Sequence, residues 1–282
     1  MAVVVDNLFQ VIRGSRGAAA LSRTRLRKLA AGSIFLILFG LAALVSVRES
    51  SAQERSDAAT KAEQAKYREA AWAHFRKRCA ERAGEKIYRT VENVQGIFLA
   101  KPRTEPRERD LKDQYWMGDP YGLVMYPPAE ISRYLSDLEP NGISTKTRTS
   151  RPGFSFVETP DPRGSSFIVH RLDGSRNRTV TEISDTRQSR YAVVRDDIST
   201  TEDRAHWVAG GRLAVTDLLT GEILGERIGY VLEPGFGSTS GARRPWLFAQ
   251  DVACPPIKRS AAIDRLFVQK VLKPLIGARH GE

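Results

Sequence analysis

The sequence predicts an α+β protein in which a transmembrane helix and a stalk helix precede a mostly antiparallel β-sheet domain with a C-terminal helix. Three observations predict this class. A charge-free apolar run lies near the N-terminus, a long run of strong helix formers follows it, and short alternating segments separated by Gly, Pro and Asp fill most of the remainder. Helices at the two sequence ends of an antiparallel sheet are typical of the α+β class.

The apolar run covers residues 29–47 and contains no charged side chain. At about 1.5 Å per residue, a helix of this length spans about 28 Å, close to the ~30 Å hydrocarbon core of a bilayer. Because basic flanks stay in the cytoplasm, we expect residues 1–28 to be cytoplasmic and residues 48–282 to be exported. The basic residues before the run are Arg13, Arg16, Arg23, Arg25, Arg27 and Lys28, whereas the charges after it are mixed.

A cleaved signal peptide is the alternative to a retained anchor. The small residues at 50–52 suit a signal peptidase, whereas Arg48 and Glu49 interrupt the approach to that site and the apolar run is longer than a usual signal core. Both interpretations export the same α+β domain, residues 84–282. With a retained anchor, residues 48–83 form a stalk helix between the membrane and this domain.

The net charge of +11 is partly a signal of membrane topology. Residues 1–52 hold seven of the 44 Lys and Arg residues and two of the 33 Asp and Glu residues, so residues 53–282 carry a net charge of +6. Small basic clusters at 146–151 and 171–178 are candidates for an anion-binding face, and a solvated surface is the alternative. For an exported domain a protein or an envelope polymer is a better candidate partner than nucleic acid, which is mainly cytoplasmic.

Cys79 and Cys254 are the two cysteines of the chain and lie 175 positions apart. Export to an oxidising compartment favours a disulfide between them. Such a bond would remove roughly 5 kcal/mol of unfolded-state entropy on the loop-closure relation. Two separately buried thiols are the alternative, because free cysteine is also among the most buried residue types.

Residues 52–83 lack Pro and Gly and are rich in Ala, Glu, Lys, Arg and Gln, which predicts one long helix. In the N-terminal half of this helix the apolar stripe consists only of alanines, which pack weakly. The larger members of the stripe, Trp72, Phe75 and Cys79, are expected to dock on the domain, and Gly84 ends the helix.

Short β-branched or aromatic segments follow this helix. Residues 86–91 and 94–100 are expected to form a hairpin around Glu92 and Asn93. The firmest hairpin covers residues 212–232, where alternating apolar residues flank a Thr-Gly pair. Further strands are predicted at GFSFVET (153–159), SSFIVHRL (165–172), TVTEIS (179–184) and RYAVVRDD (190–197).

The last ~25 residues are expected to be helical, because apolar residues recur there at helical spacing. Ser260 is the expected cap of this helix. The apolar stripe consists of Ile263, Leu266, Phe267 and Val271.

The segment at 196–206 contains the densest group of candidate catalytic side chains, because carboxylates and imidazoles are the usual general acids and bases. No Ser nucleophile motif accompanies them. Two residues at helical spacing are too few to bind a metal and no H-E-x-x-H motif exists, so we predict neither a metal nor a cofactor. The candidates are Asp196, Asp197, Glu202 and His206.

Helix capping is the structural alternative for the same segment. Ser199-x-x-Glu202 and Thr200-x-x-Asp203 both have the spacing of a capping box, in which hydroxyl and carboxyl groups satisfy backbone N–H groups. This interpretation predicts a short helix that carries Trp207 inward.

The loop at 234–246 is the first candidate for ligand binding, because an arginine pair beside glycines can bind a carboxylate or phosphate. It departs from the G-x-x-x-x-G-K-[ST] pattern of a phosphate-binding loop, and a mobile turn is the alternative. The candidate residues are Gly235, Gly237, Gly241, Arg243 and Arg244.

Three segments resemble a family of proteobacterial single-pass or signal-bearing envelope proteins of unknown function, over roughly residues 76–256. They are RAGEKIYRTVENVQGIFLAK, DDISTTEDRAHWVAGGRLAVTDLLTGEILGERIGYV and RRPWLFAQDVACP. The resemblance implies a bacterial origin, export and the two cysteines. It implies no activity, and no catalytic residue follows from it.

Two functional hypotheses result. The first is a binding module without catalysis, anchored in the bacterial inner membrane with its C-terminal domain in the periplasm. The second is a periplasmic, hydrolase-like enzyme that uses the Asp/Glu/His group at 196–206. The anchor, the stalk and the lack of a catalytic motif in the sequence favour the first.

Overall fold

The computed structural model describes residues 57–123, 127–135, 153–173, 178–257 and 263–275. The chain divides into two compact units, residues 1–64 and 65–282. In the first unit, residues 57–64 are helical and exposed. The predicted transmembrane segment, residues 29–47, lies outside the described residues. Among the residues that are described, no helix combines the length and the apolar character needed to span a bilayer.

Helix α1 covers residues 57–82 and confirms the predicted long helix within the described part of the chain. The other helices are α2 (Pro127–Leu135), α3 (Thr201–Ala205), α4 (Pro245–Phe248) and α5 (Ile263–Val271). The strands are β1 (Gly84–Ile87), β2 (Val91–Val94), β3 (Gly96–Leu99), β4 (Phe156–Pro160), β5 (Phe167–Asp173), β6 (Arg178–Ser184), β7 (Tyr191–Asp197), β8 (Val208–Asp217), β9 (Ile223–Leu232), β10 (Ala253–Cys254) and β11 (Leu272–Pro274).

Nine strands of the described residues form one sheet in the order β1-β9-β8-β7-β3-β4-β5-β6, with β10 also paired to β9. The pairs are antiparallel except that β3 runs parallel to both β4 and β7. Strands β2 and β11 form a separate parallel pair. The predicted α+β class, with a mostly antiparallel sheet and a C-terminal helix, is therefore confirmed.

The hairpin predicted at residues 212–232 is confirmed by strands β8 and β9. Their register places Val208 opposite Leu232 at one end and Thr216 opposite Ile223 at the other. Gly221 has a φ of +73°, which a glycine adopts without strain, and lies in the turn between the two strands. The four segments predicted as strands between 153 and 197 form β4, β5, β6 and β7.

The hairpin predicted at residues 86–100 is wrong. Strand β1 pairs with β9, β2 pairs with β11, and β3 lies between β4 and β7. Asn93 has a positive φ of 58°, whereas a type I′ hairpin turn also needs one at Glu92. Long-range packing explains the outcome, because Val94, Ile97 and Leu99 are buried in the same core as residues from distant strands.

The C-terminal helix is shorter than predicted. Helix α5 ends at Val271, and the chain continues as strand β11. Pro274 explains the change, because the residue before a proline is disfavoured in the helical conformation. The buried stripe also differs, since Leu266 is exposed and Val268 is buried. The expected cap, Ser260, lies outside the described residues.

Helices cover both faces of the sheet. Ala71 and Phe75 of α1 pack against Ile228, Tyr230 and Leu232 of β9 on one face. Helices α2 and α5 supply core residues on the other face, where they pack with β3, β4, β7 and β8. The predicted docking of Trp72, Phe75 and Cys79 on the domain agrees with this arrangement.

Cys79 and Cys254 form a disulfide, as the sequence predicts. Their Cα atoms are 5.8 Å apart, within the usual range for a bridge. Cys254 lies in β10 opposite Tyr230 of β9. The bond therefore fastens α1 to the sheet across 175 positions of sequence.

We predict that replacing both cysteines with alanine lowers the free energy of unfolding by roughly 5 kcal/mol, the loop-closure value for a loop of this length. Urea unfolding of the full chain in detergent, followed by tryptophan fluorescence, measures the change. A reducing agent should destabilise the wild-type protein by the same amount and leave the variant unaffected. A wild-type protein with equal stability in oxidising and reducing buffer would contradict the prediction.

Candidate functional site

Residues 196–206 fold as the end of β7 and the capped helix α3. The Asp203 N–H donates to the Thr200 hydroxyl at 3.1 Å, and the Thr200 N–H donates to the Asp203 carboxylate at 2.7 Å. This reciprocal pair is a capping box, one of the two that the sequence allows. Trp207 follows the helix and is buried, as predicted.

Asp203 also joins α3 to α1. Its buried carboxylate accepts hydrogen bonds from Arg78 Nε at 2.6 Å and contacts His74 Nε2 at 2.6 Å. Burial opposes ionisation of Asp203, but the hydrogen bonds from Arg78, the Thr200 backbone and His74 outweigh it and lower its pKa to about 2. Asp203 is therefore a structural anion.

The first two candidate catalytic residues, Asp196 and Asp197, have separate partners. Asp196 forms an ion pair with Lys101. Asp197 accepts from the Gly118 N–H at 3.1 Å and from Arg204 Nη2 at 2.8 Å. Asp197 thereby holds a surface loop against α3.

The other two candidates, Glu202 and His206, are engaged elsewhere. The Glu202 side chain is 72% exposed, with its carboxylate 3.7 Å from His74 Nδ1. His206 Nδ1 lies 2.9 Å from the Glu202 backbone carbonyl, and its ring stacks on that of His74 with centroids 4.9 Å apart. The structure thus pairs Asp196 and Asp197 with different cations, and it places both Glu202 and His206 beside His74. Among the described residues, no group of three His, Cys, Asp or Glu could hold a metal ion.

The candidate ligand loop encloses an anion of its own chain. Glu233 is buried, and its carboxylate accepts from the N–H groups of Gly235 at 2.9 Å and Gly237 at 2.6 Å. Arg243 forms an ion pair with the same carboxylate, and Arg244 lies 3.7 Å from Glu108. Gly241 has a positive φ in the single 3-10 turn Ser240–Ala242.

A second group of charged side chains lies inside the domain, and we call it the arginine–carboxylate cluster. Its members come from the loop of residues 100–123, from α2, β7 and β9, and from the first turn of α5. They are Arg103, Asp119, Glu130, Arg195, Arg227 and Asp264.

Asp264 is the centre of this cluster. Its carboxylate lies 2.9 Å from Arg103 Nη2, 3.4 Å from Arg195 Nη2 and 3.4 Å from Arg227 Nη1. One carboxylate therefore neutralises part of the charge on three guanidinium groups that belong to three separate segments.

The two strand arginines have further buried partners. Arg195 Nη1 lies 2.6 Å from the Glu130 carboxylate, and Arg195 Nη2 donates to the Tyr134 hydroxyl at 2.9 Å. Arg227 Nη2 donates to the Tyr121 hydroxyl at 2.6 Å. These contacts offset part of the cost of burying the two guanidinium groups.

Strand register brings the two arginines to the same level of the sheet. Arg195 of β7 lies opposite Leu213 of β8, and Leu213 lies opposite Arg227 of β9. Directly opposite residues share a face, so both arginines project from the face that packs on α5.

Two paired glycines make room for the loop that covers this face. Gly211 of β8 lies opposite Gly229 of β9. A Cβ atom at Gly211 would lie 2.1 Å from the Asp119 carboxylate, and one at Gly229 would lie 2.0 Å from the Tyr121 ring. The glycines are therefore required for Asp119 and Tyr121 to reach the arginines.

The environment moves the pKa values of two cluster carboxyls in opposite directions. Burial raises the pKa of Asp119, against the attraction of Arg103. Burial also acts on Asp264, but Arg103, Arg195 and Arg227 outweigh it and lower the pKa of that carboxyl.

Sequence reasoning missed the cluster, although a signal for it exists. Arg195 occupies the same strand face as buried Val193, and Arg227 occupies the same face as buried Val231. A charge at a core-facing position of a strand predicts a buried partner. The partners themselves are far away in sequence, so no local pattern identifies Asp264 or Glu130.

No family model, curated protein or solved structure matches this chain. The resemblance to an envelope protein family therefore stays a prediction, and the function is inferred from the residues and their geometry.

We predict that Asp203→Asn reduces the acid sensitivity of the fold. The folded pKa of about 2 lies below the ordinary value of 3.8, so ionised Asp203 stabilises the protein above about pH 4 and this contribution is lost as the pH falls towards 2. At pH 7 the variant should be less stable by about 2 kcal/mol. Urea unfolding at several pH values measures both effects.

Glu202→Gln is the matched control, because Glu202 is the exposed neighbour on the same helix turn. It should keep the wild-type pH dependence. If Asp203→Asn lost stability between pH 4 and 2 as steeply as the wild type, the pKa assignment would be wrong.

We also predict that Asp264→Asn destabilises the domain by about 3 kcal/mol, because it leaves three largely buried arginines without their shared carboxylate. Asp185→Asn, in an exposed bend after β6, should change the stability by less than about 0.5 kcal/mol. Equilibrium urea unfolding of the two variants measures the difference. Equal stabilities would show that the cluster does not depend on Asp264.

Proposed function

We propose that the chain is a binding module of the bacterial periplasm, anchored in the inner membrane, which binds a protein or an envelope polymer and catalyses no reaction. The disulfide Cys79–Cys254 carries this proposal. Structural disulfides persist in oxidising compartments such as the periplasm and are rare in the cytosol. The predicted anchor at residues 29–47, with basic residues before it, supports the same location.

The geometry favours a binding module over the alternative, a periplasmic hydrolase-like enzyme built on residues 196–206. Such an enzyme needs its acid, base and substrate to meet at one point. Asp196 and Asp197 are paired with Lys101 and Arg204, respectively, and Glu202 projects into solvent. Asp196 and Asp197 each have an ion-pair partner within the chain, which supports a structural role for these two of the four candidates.

Exposed apolar side chains offer a surface for the partner. Tyr115 and Met117 in the loop of residues 100–123 are exposed, and Met117 is 89% exposed. Trp246 Nε1 donates to the Asp113 carbonyl at 2.6 Å, which holds this loop beside α4 and its exposed Phe248. Tyr, Phe and Met are enriched at protein interfaces, and Met adapts to irregular surfaces.

The test places a photo-crosslinking amino acid at position 117 of the full chain in intact cells. We expect one reproducible adduct, larger than the chain and formed on the periplasmic side. The matched control carries the same amino acid at Leu219, which is 76% exposed in the β8–β9 turn, and should give no such adduct. A periplasm-active reporter fused to the C-terminus checks the location.

Two outcomes would contradict the proposal. A reporter active only in the cytoplasm would exclude the periplasmic location. Equal adducts from positions 117 and 219, or no adduct from either, would remove the support for a specific binding surface.

A further inference from the structure

Strand β6 forms one end of the large sheet. It pairs with β5 from Arg178 opposite Asp173 to Ser184 opposite Phe167, and in the described part of the chain its other edge meets no strand. The strand is largely exposed, including Val180 on one face and Ile183, 59% exposed, on the other. An open edge of seven residues presents unpaired backbone groups that can pair with another strand.

The sequence of this strand is complementary to itself. Residues 178–182 read Arg-Thr-Val-Thr-Glu. In an antiparallel pair of two such strands centred on Val180, each Arg178 lies opposite Glu182 of the other strand. The threonines at 179 and 181 then lie opposite each other as well. Opposite charges and Thr–Thr pairs both stabilise antiparallel strands when they are directly opposed.

We propose that β6 is the contact between two copies of this chain, which pair antiparallel with Val180 opposite Val180 and join their sheets across a two-fold axis. In such an interface the same residues of both copies make each contact twice. The Arg178–Glu182 pair therefore occurs two times, once on each side of Val180.

Charge selects this register over its neighbours. Sliding the strands so that they centre on Glu182 would place like charges opposite each other, which is unfavourable. Within one chain, Glu182 lies 3.5 Å from Arg171, and its side chain stays 59% exposed. The carboxylate therefore has room to accept a second arginine from the other copy.

The proposed contact lies on a different part of the fold from the surface around Met117. It does not depend on the proposed function, so either can fail without the other. A binding partner captured at position 117 leaves the β6 pairing to be decided by its own measurement.

Charge reversal tests the register. Sedimentation equilibrium of the full chain in detergent measures self-association of the wild type, Arg178→Glu, Glu182→Arg and the double variant. We expect each single variant to weaken association by about tenfold, because it creates two like-charge pairs. The double variant should restore it. Residues 178 and 182 do not face each other within one strand, so the rescue requires two chains.

The proposal would be overturned by a wild-type chain that does not self-associate, or by single variants that associate as well as the wild type. Circular dichroism and urea unfolding check that each variant is folded. The single and double variants alter the same two positions. If the single variants lose association and the folded double variant does not regain it, the proposed register is also overturned.

Cysteine trapping supplies a second readout. Val180→Cys places two thiols opposite each other across the axis and should yield a covalent dimer under mild oxidation in intact cells. Thr181→Cys is the control, because the two copies of residue 181 lie diagonally at about 7–8 Å, too far for a disulfide. Equal trapping at both positions, or an adduct of Val180→Cys with a different protein, would overturn the assignment of a second copy as the partner.

Discussion

The fold depends on one carboxylate, Asp264, in the first turn of α5. Arginines cannot be buried near each other unless counter-charges and hydrogen bonds compensate their lost hydration. Asp264 contacts Arg103, Arg195 and Arg227, which arrive from a loop and two different strands. The sheet face, the covering loop and the C-terminal helix therefore have to assemble together, because each supplies charge that the others need.

The shared carboxylate explains how an irregular loop and a short helix, which have little regular structure of their own, are held in the fold. The loop of residues 100–123 is rich in Pro, Gly and charge, yet it lies ordered over the sheet because Asp119 and Tyr121 fill the space above Gly211 and Gly229. Helix α5 is short, but its first turn carries Asp264 and its remaining residues fill the core between β3, β4, β7 and β8. The chain tolerates an irregular loop and a short helix because both are anchored in the same cluster.

The sequence predicts features formed by residues a few positions apart, and it misses contacts between segments that are far apart along the chain. The capping box at Thr200 and the turn at Gly221 are each formed by residues a few positions apart, so both can be predicted from the local sequence. The partners of β1, β2 and β3 depend on segments more than 50 residues away, and local turn signals suggested a hairpin instead. The cluster was missed for the same reason, since Arg103 and Asp264 are 161 positions apart.

Buried carboxylates are structural elements throughout this domain, and this shifts the search for function to the surface. Glu158 accepts the N–H groups of Gln188 and Ser189, Asp217 binds Arg190, and Glu233 is enclosed by its own loop. A dense group of acids in such a chain is weak evidence for catalysis, because interior acids organise loops and caps. The exposed side chain of Met117 and the open edge of β6 are the features whose chemistry supports recognition of another molecule.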